Sequence, residues 1–227
     1  MNIMAFETAG EFCSVALWTA AGCVARHHEE SPARHTAQLL PACEMLCAEA
    51  GVTLSALDAV AFGRGPGAFT GVRVAASAAR GIALALSRPV LGISSLAALA
   101  RAGWRSTGVA HQLAVIDARR GEIYWGAYTF DAAGDAHAAD GPDRVGPPEA
   151  LHLPDGLPWS GVGAGLALVP ARPELERPGL PRAAHFPAAE DVAALAALWL
   201  SSGRMIPAEQ ALPLYLREAV QANSSRG

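Results

Sequence analysis

The sequence predicts a two-lobed α/β protein in which one structural plan is used twice, and three observations carry that reading. Residues 1–30 contain three apolar stretches of strand length joined by short Ala/Gly turns. The run Gly63-Arg64-Gly65-Pro66-Gly67-Ala68-Phe69-Thr70-Gly71-Val72-Arg73 lies between a short strand and an alanine-rich helix without proline. That arrangement points backbone N–H groups and a helix N-terminus at a ligand or a partner. Finally, a pattern of strand, carboxylate, short turn, Gly-Glu and strand is read at Phe6–Phe12 and again at Ile116–Ile123. The second copy falls near the midpoint, where a duplicated fold would restart.

The elements follow in order. Strands are expected at Asn2–Glu7, Glu11–Thr19 and Cys23–Glu29; in the second, both alternating sets are largely apolar, as in a strand covered on both faces. A helix from Ser31 or Pro32 to Ala50 places Leu39, Leu40, Cys43, Leu46, Cys47 and Ala50 at i, i+3, i+4 spacing, and Gly51 ends it. A strand at 58–62 enters the glycine loop, whose alternate glycines and Pro66 make a stiff turn. Thr70 is the expected N-cap of a helix over 70–86. A strand at Val90–Ile93 and a helix from Ser94 or Ser95 to Ala102 complete the first half.

The second half opens with strands at His111–Asp117 and Glu122–Phe130. Residues 131–190 are rich in Pro, Gly, Ala and Asp and read as a reduced, loop-heavy region with one strand at Trp159–Gly163. Helices are expected at Glu190–Ser201 and Ala208–Ala211, and Pro213–Arg217 closes the fold. Three strands and a helix, then strand-and-helix units, all occurring twice, is the plan of a ribonuclease-H-like or actin-like duplication. In such a fold the carboxylate ending the first strand of each half, here Glu7 and Asp117, faces the cleft between lobes. The expected division is 1–105 for the first lobe and 106–220 for the second, whose terminal helices are free to pack back on the first. Residues 221–227 are expected to form a disordered tail.

At 227 residues, 52% hydrophobic and 17% charged, the chain can bury a sizeable core. Its net charge of −4 argues against a protein that grips nucleic acid unaided, though not against an acidic subunit of a larger nucleic-acid enzyme. No apolar run reaches bilayer length and Met1–Phe6 lacks a charged leader, so a cytoplasmic protein without membrane contact is expected. The cysteines at 13, 23, 43 and 47 suit that compartment. Cys13 should lie opposite His28 or Glu29, too far along the ladder to bridge Cys23, and Cys43 and Cys47 read as small buried residues on one helix face.

All seventeen basic residues are arginine. The absence of lysine excludes P-loop phosphate transfer, Schiff bases and lysine general bases. The loop therefore has glycines without the Walker lysine, and Pro66 removes one N–H donor, which favours a structural turn over a phosphate cradle. No Gly-x-Ser-x-Gly elbow and no HExxH motif occur, and no two histidines have metal-ligand spacing. Glu7, Asp117 and Glu122 could hold Mg²⁺ by position, but polar strand ends beside a cleft are ordinary, and no metal is expected. The helix after the loop carries Gly71, Ala75, Ala79 and Ala83 four apart and is charged only at Arg73 and Arg80. An all-round apolar helix needs cover on both sides, one from its own sheet and one from a partner or a third internal helix.

Taken in order, Phe6-Glu-Thr-Ala, Cys13-Ser-Val-Ala-Leu, His35-Thr with Leu39-Leu-Pro, the glycine run to Arg73, Ile116-Asp-Ala-Arg-Arg-Gly-Glu-Ile-Tyr-Trp125 and Leu214-Tyr-Leu-Arg217 resemble the TsaB (YeaZ) family. The resemblance spans residue 1 to about 217. It implies an actin-like fold and a non-catalytic paralogue of the transferase TsaD, needed to form threonylcarbamoyladenosine at position 37 of tRNAs reading codons that start with A. It further implies homodimers when the chain is alone, a heterodimer with TsaD, recruitment of the ATPase TsaE, and tRNA contact only through the complex. ATP and Mg would then belong to the partners. The partner interface it implies comprises His35, Leu39, Leu40, Cys43, Leu46, Cys47, Val72, Arg73, Ala76, Ala79, Arg80 and Ala83. A vestigial nucleotide cleft would hold Glu7, Thr8, Gly65, Gly67 and Asp117. Arg64, Arg73, Arg119 and Arg120 flank the two best-matched motifs and are candidates for the chain's share of tRNA contact, or equally for internal salt bridges. Two departures stand out: the family usually has Asp-Thr where this chain has Glu7-Thr8, and the catalytic relative's metal-binding His-x-x-x-His is missing. The competing reading is an actin-like ATPase-class enzyme or peptidase acting on a small metabolite or peptide.

Overall fold

The computed structural model describes residues 1–30 and 35–217. The first half forms a five-stranded sheet from β1 (Ile3–Glu7), β2 (Phe12–Thr19), β3 (Gly22–Glu30), β4 (Ala59–Gly63) and β5 (Val90–Ile93), in the order β3-β2-β1-β4-β5. β1, β2 and β3 pair antiparallel, whereas β4 and β5 continue the sheet in parallel. The second half repeats this order. Around β6 (His111–Arg119) lie β7 (Glu122–Phe130) and β8 (Ala136–Ala138) on one side, and β10 (Trp159–Val162) and β11 (Leu175–Glu176) on the other; β9 (Arg144–Gly146) also pairs with β7. One strand order used twice, with the same mixture of pairings, is the ribonuclease-H-like, actin-like plan expected from the sequence.

Among the described residues, the layers are filled by α1 (His35–Ala50), α2 (Phe69–Leu86), α3 (Ser95–Thr107) and α4 (Ala189–Ser201). α1 and α2 cover the outer face of the first sheet over Met4, Phe6, Val15, Leu17, Leu57 and Phe62. α3 and α4 lie between the two sheets, where Ile3, Leu91, Ile93, Leu96, Val162, Val192 and Leu195 form a shared core. On the outer face of the second sheet, Leu151, Leu153, Leu166 and Val169 from loops and short turns pack over Leu113, Val115, Trp125 and Trp159. Each fully buried Leu, Ile or Phe removes enough apolar surface to contribute about 1.5–3 kcal/mol.

Several boundaries differ from expectation. Ala68, not Thr70, precedes α2, and having no side-chain oxygen it makes no side-chain cap; its amide donates to the Ala9 carbonyl at 2.8 Å, and the helix begins at Phe69. α3 runs five residues past Ala102, from Ser94, whose hydroxyl accepts from the Leu96 and Ala97 amides, to Gly108 at φ 72°. Gly103 does not end it: a Cβ there would lie 2.3 Å from Gln112 Oε1, so the missing side chain lets α3 lie flat on the second sheet. The 131–190 region holds β8, β9 and β11 besides the expected strand, each too short to show periodicity. Ala208–Gln210 is a 3₁₀ turn. Cys13 pairs with Glu29 in the β2–β3 register, and none of the four cysteines is in a disulfide. The 221–227 tail lies outside the described residues.

Asp191, fully buried at the start of α4, is bonded by Arg101 at 2.8 Å and Arg105 at 3.2 Å, both from α3. This pairing fixes the two inter-sheet helices in register, and burial still pushes the Asp191 carboxyl above the usual range despite the arginines.

Candidate functional site

Two concave features stand out. One is a cleft of about 630 Å³ between the halves, bounded by Gly67, Phe69, Asp117, Arg119, His185 and Tyr215 among others. The other is an apolar groove of about 530 Å³ between α1 and α2.

The cleft does not use its expected first carboxylate. Glu7 is fully buried: its Oε1 accepts from the Ala9 amide at 2.6 Å and its Oε2 accepts from the Ser95 hydroxyl at 2.7 Å. Ser95 in turn donates its amide to the Gly65 carbonyl at 2.9 Å. Glu7 is thus an anchor for the glycine loop, and burial raises its pKa above 4.5 against the pull of those hydrogen bonds. Thr8 is buried as well, its hydroxyl donating to the Gly71 carbonyl at 2.7 Å. The glycines answer to this packing: a Cβ on Gly63 would sit 1.8 Å from Glu7 Oε2, and one on Gly71 would sit 1.9 Å from the Thr8 carbonyl oxygen. The expectation of Glu7 and Thr8 in an open cleft is therefore corrected. The extra methylene of Glu carries its carboxylate over Gly63 to Ser95 instead of out toward solvent.

Asp117 and Gly67 do line the cleft, whereas Gly65 is sealed behind it. Asp117 spends its oxygens on the β6–β7 turn, accepting from the Arg119 amide at 2.7 Å and its guanidinium at 3.2 Å. Arg119 and Arg120 are exposed at positive φ, 65° and 58°, while Arg64 is half-buried. One wall of the cleft is the segment Pro213–Arg217. The Leu214 amide donates to the Arg64 carbonyl at 2.7 Å, and the Arg217 guanidinium reaches Glu122 at 2.6 Å and the Ala118 carbonyl at 3.0 Å. Sequence reading quoted this segment but gave it no site role, because nothing in five residues shows which two elements they bridge. It also missed Ser94, Tyr128 and Asp143, which meet in a buried cluster. Ser94 donates to Asp143 at 2.6 Å, Tyr128 bonds the same carboxyl, and burial raises both pKa values. With no histidine beside it and its oxygen also capping α3, the Ser94 hydroxyl is a structural donor rather than a nucleophile.

The groove redistributes the expected interface. Leu39, Cys43, Leu46, Cys47, Val72, Ala76, Ala79 and Ala83 are all buried within the chain's own core. The alanine stripe faces the chain's own sheet because small residues let α2 approach it closely. Burial pushes the Cys43 thiol up to about 12 and Cys13 to about 11, leaving inert thiols. What faces outward is the opposite side of both helices: Leu40 at 53% exposure, Phe69 at 57%, Leu84 at 46% and Met45 at 44%, with Arg73 and Arg80 among them. His35 begins α1, but its side chain lies outside what is described. Glu44 and Glu49 on α1 are exposed, and among the described residues neither they nor Arg73 and Arg80 form an ion pair. An apolar groove whose one lining charge is Arg73 suits a protein partner. The described residues hold no group of three candidate metal ligands.

Comparison with known proteins agrees with this geometry. Residues 27–172 match the family model for TsaD, tRNA N6-adenosine threonylcarbamoyltransferase. The tRNA threonylcarbamoyladenosine biosynthesis protein TsaB of Escherichia coli strain K12 is 39% identical over 97% of this chain and 96% of its own length. Its namesake in Haemophilus influenzae is 41% identical over 55% of this chain and 52% of its own. Among solved structures, YeaZ from Pseudomonas aeruginosa is 44% identical, covers 95% of this chain and 99% of its own, and superposes with a TM-score of 0.86.

Proposed function

The chain belongs to the TsaB (YeaZ) family, and from that premise we propose that it is a non-catalytic scaffold subunit in the synthesis of threonylcarbamoyladenosine on tRNA. It docks the transferase TsaD through the groove between α1 and α2, self-associates through the same face when alone, and helps recruit the ATPase TsaE. ATP and Mg²⁺ act on the partner subunits, and tRNA is met only within the complex.

The observation that carries this reading is the groove itself. Leu40 and Phe69 line it and are large, apolar and exposed, and Leu84 is exposed farther along α2; such side chains are the kind of anchors that dominate interface energetics once desolvated by a partner. Arg73 of α2 lines the groove and exposed Glu44 lies one helical turn from Leu40 on α1, so charges of both signs are at hand. A partner presenting an equivalent helix pair would set acid against base in both directions. Three facts favour a scaffold over an ATPase. The chain has no lysine, Glu7 is committed to Ser95 and Ala9, and Asp117 is committed to the β6–β7 turn.

The test is purification with the host's TsaD, followed by nucleoside analysis of tRNA after depletion and after complementation. The wild-type chain should restore threonylcarbamoyladenosine; a Leu40→Glu/Leu84→Glu double variant, folded by circular dichroism, should neither bind TsaD nor restore it. Restoration by that variant would overturn the groove assignment. ATP turnover above background by the pure chain would overturn the non-catalytic reading.

A further inference from the structure

Resting on the docking proposed above, a second feature concerns how the groove and the inter-sheet cleft communicate. Phe69 borders both. The Arg73 guanidinium lies 3.5 Å from the Phe69 ring centroid and 5.4 Å from that of Tyr215, and the two rings are 5.9 Å apart. Arg73 Nε donates to the Tyr215 hydroxyl at 2.7 Å. Phe69, Arg73 and Tyr215 thus form one stack, with the groove on one side and the Pro213–Arg217 segment on the other.

That segment crosses the cleft. Leu214 holds it to the glycine loop at Arg64 and Arg217 holds it to the β6–β7 turn at Ala118 and Glu122, so five residues tie the first sheet to the second. None of Pro213, Leu214, Tyr215, Leu216 and Arg217 is fully buried. A segment attached by a few part-exposed hydrogen bonds and little buried apolar surface belongs to the low-stability end of a structure and can detach without unfolding the rest.

Arg73 has a hydroxyl, but no carboxylate among the described residues, as its hydrogen-bond partner. A guanidinium gains more from a carboxylate than from a neutral hydroxyl. We propose that a partner helix bearing a carboxylate, seated in the α1/α2 groove, draws Arg73 away from Tyr215 and releases the Pro213–Arg217 strap, so that partner docking opens the cleft between the sheets. The two events are then linked, and whatever loosens the strap tightens the partner by the same factor.

Amide hydrogen exchange at Leu214, whose N–H donates to the Arg64 carbonyl, reads the strap directly in the full-length chain. Tyr215 lies outside the groove lining, so Tyr215→Phe removes the link without altering the docking surface. In the free chain this variant should exchange Leu214 several-fold faster than wild type. With TsaD bound, the wild-type amide should reach the variant's rate. Tyr215→Phe should also bind TsaD more tightly, by up to about tenfold, the equivalent of one charge-assisted hydrogen bond that wild type must break. A complex that forms while Leu214 stays as protected as in the free chain would overturn the coupling and leave docking intact. Unchanged or weaker TsaD affinity in Tyr215→Phe would do the same. No complex at all would defeat the docking reading first and the coupling with it.

Discussion

Replacing Glu7 separates a structural carboxylate from a catalytic one. In Glu7→Ala two buried donors, the Ser95 hydroxyl and the Ala9 amide, lose their acceptor. Leaving each unsatisfied costs about 1–3 kcal/mol, and the void beside Gly63 adds about 1 kcal/mol. Relief of the carboxyl's own burial offsets part of this, leaving a net loss of about 2–4 kcal/mol. Glu7→Gln keeps an acceptor for Ala9 and a polar partner for Ser95, so it should stay near wild type in acid. The pH arm fixes the sign. The folded-state pKa of Glu7 lies above 4.5, so its contribution to stability is complete below about pH 4.5 and is lost as pH rises toward the folded value. Glu7→Gln, which cannot ionise, should gain on wild type over that window and match it below. Urea unfolding of the three proteins from pH 4 to 8, beside tRNA modification by the reconstituted complex at a temperature where all are folded, reads both effects. Modification should stay within about tenfold of wild type. An alanine variant of unchanged stability whose complex is about a thousandfold slower would refute this account and place Glu7 in the chemistry.

Asp117→Ala should likewise leave modification within about tenfold, since the carboxylate serves the β6–β7 turn; nucleoside analysis checks this. Asp191→Ala leaves the mostly buried Arg101 without its carboxylate, while Arg105 keeps Glu190, and should cost about 3 kcal/mol in chemical denaturation, against less than about 1 kcal/mol for removing the exposed Arg26 that pairs with Glu190. Ala79→Glu puts a charge on a fully buried position of α2 and should destabilise the monomer by about 3 kcal/mol or more. The exposed Leu84→Glu should change stability by less than about 0.5 kcal/mol and act on association alone, which light scattering beside circular dichroism distinguishes. The isolated chain should bind tRNA no tighter than about 10⁻⁴ M at physiological salt in filter assays across a salt series. Sub-micromolar binding would contradict the scaffold reading.

The duplication was legible because each half announces itself locally. The apolar strand runs of residues 1–30, the glycine loop before α2 and the repeated strand-acid-turn at Glu7 and Asp117 are all short-range patterns, and short-range patterns survive in a linear string. The apolar faces of α1 and α2 were legible too, as periodicity. Their direction was not. Alanine at 75, 79 and 83 reads equally well as a seam for a foreign helix or as clearance for the chain's own β4, and only the packing of the first sheet shows that it is the latter. Glu7 follows the same logic. Its position at a strand end was evident, but whether its carboxylate turns out or in depends on Ser95, 88 residues later, and on the absence of a side chain at Gly63.

By itself the sequence determined the fold plan, the family and the lack of lysine chemistry, since these follow from residue identity and near-neighbour spacing. Tertiary structure alone decided three things: that Leu40, Phe69 and Leu84 rather than the alanines are exposed, that Glu7 anchors a loop, and that Tyr215 bonds a residue of the groove, Arg73. Each of these depends on which of two faces a side chain turns to, and that choice is made by residues distant in sequence that compete for the same buried volume.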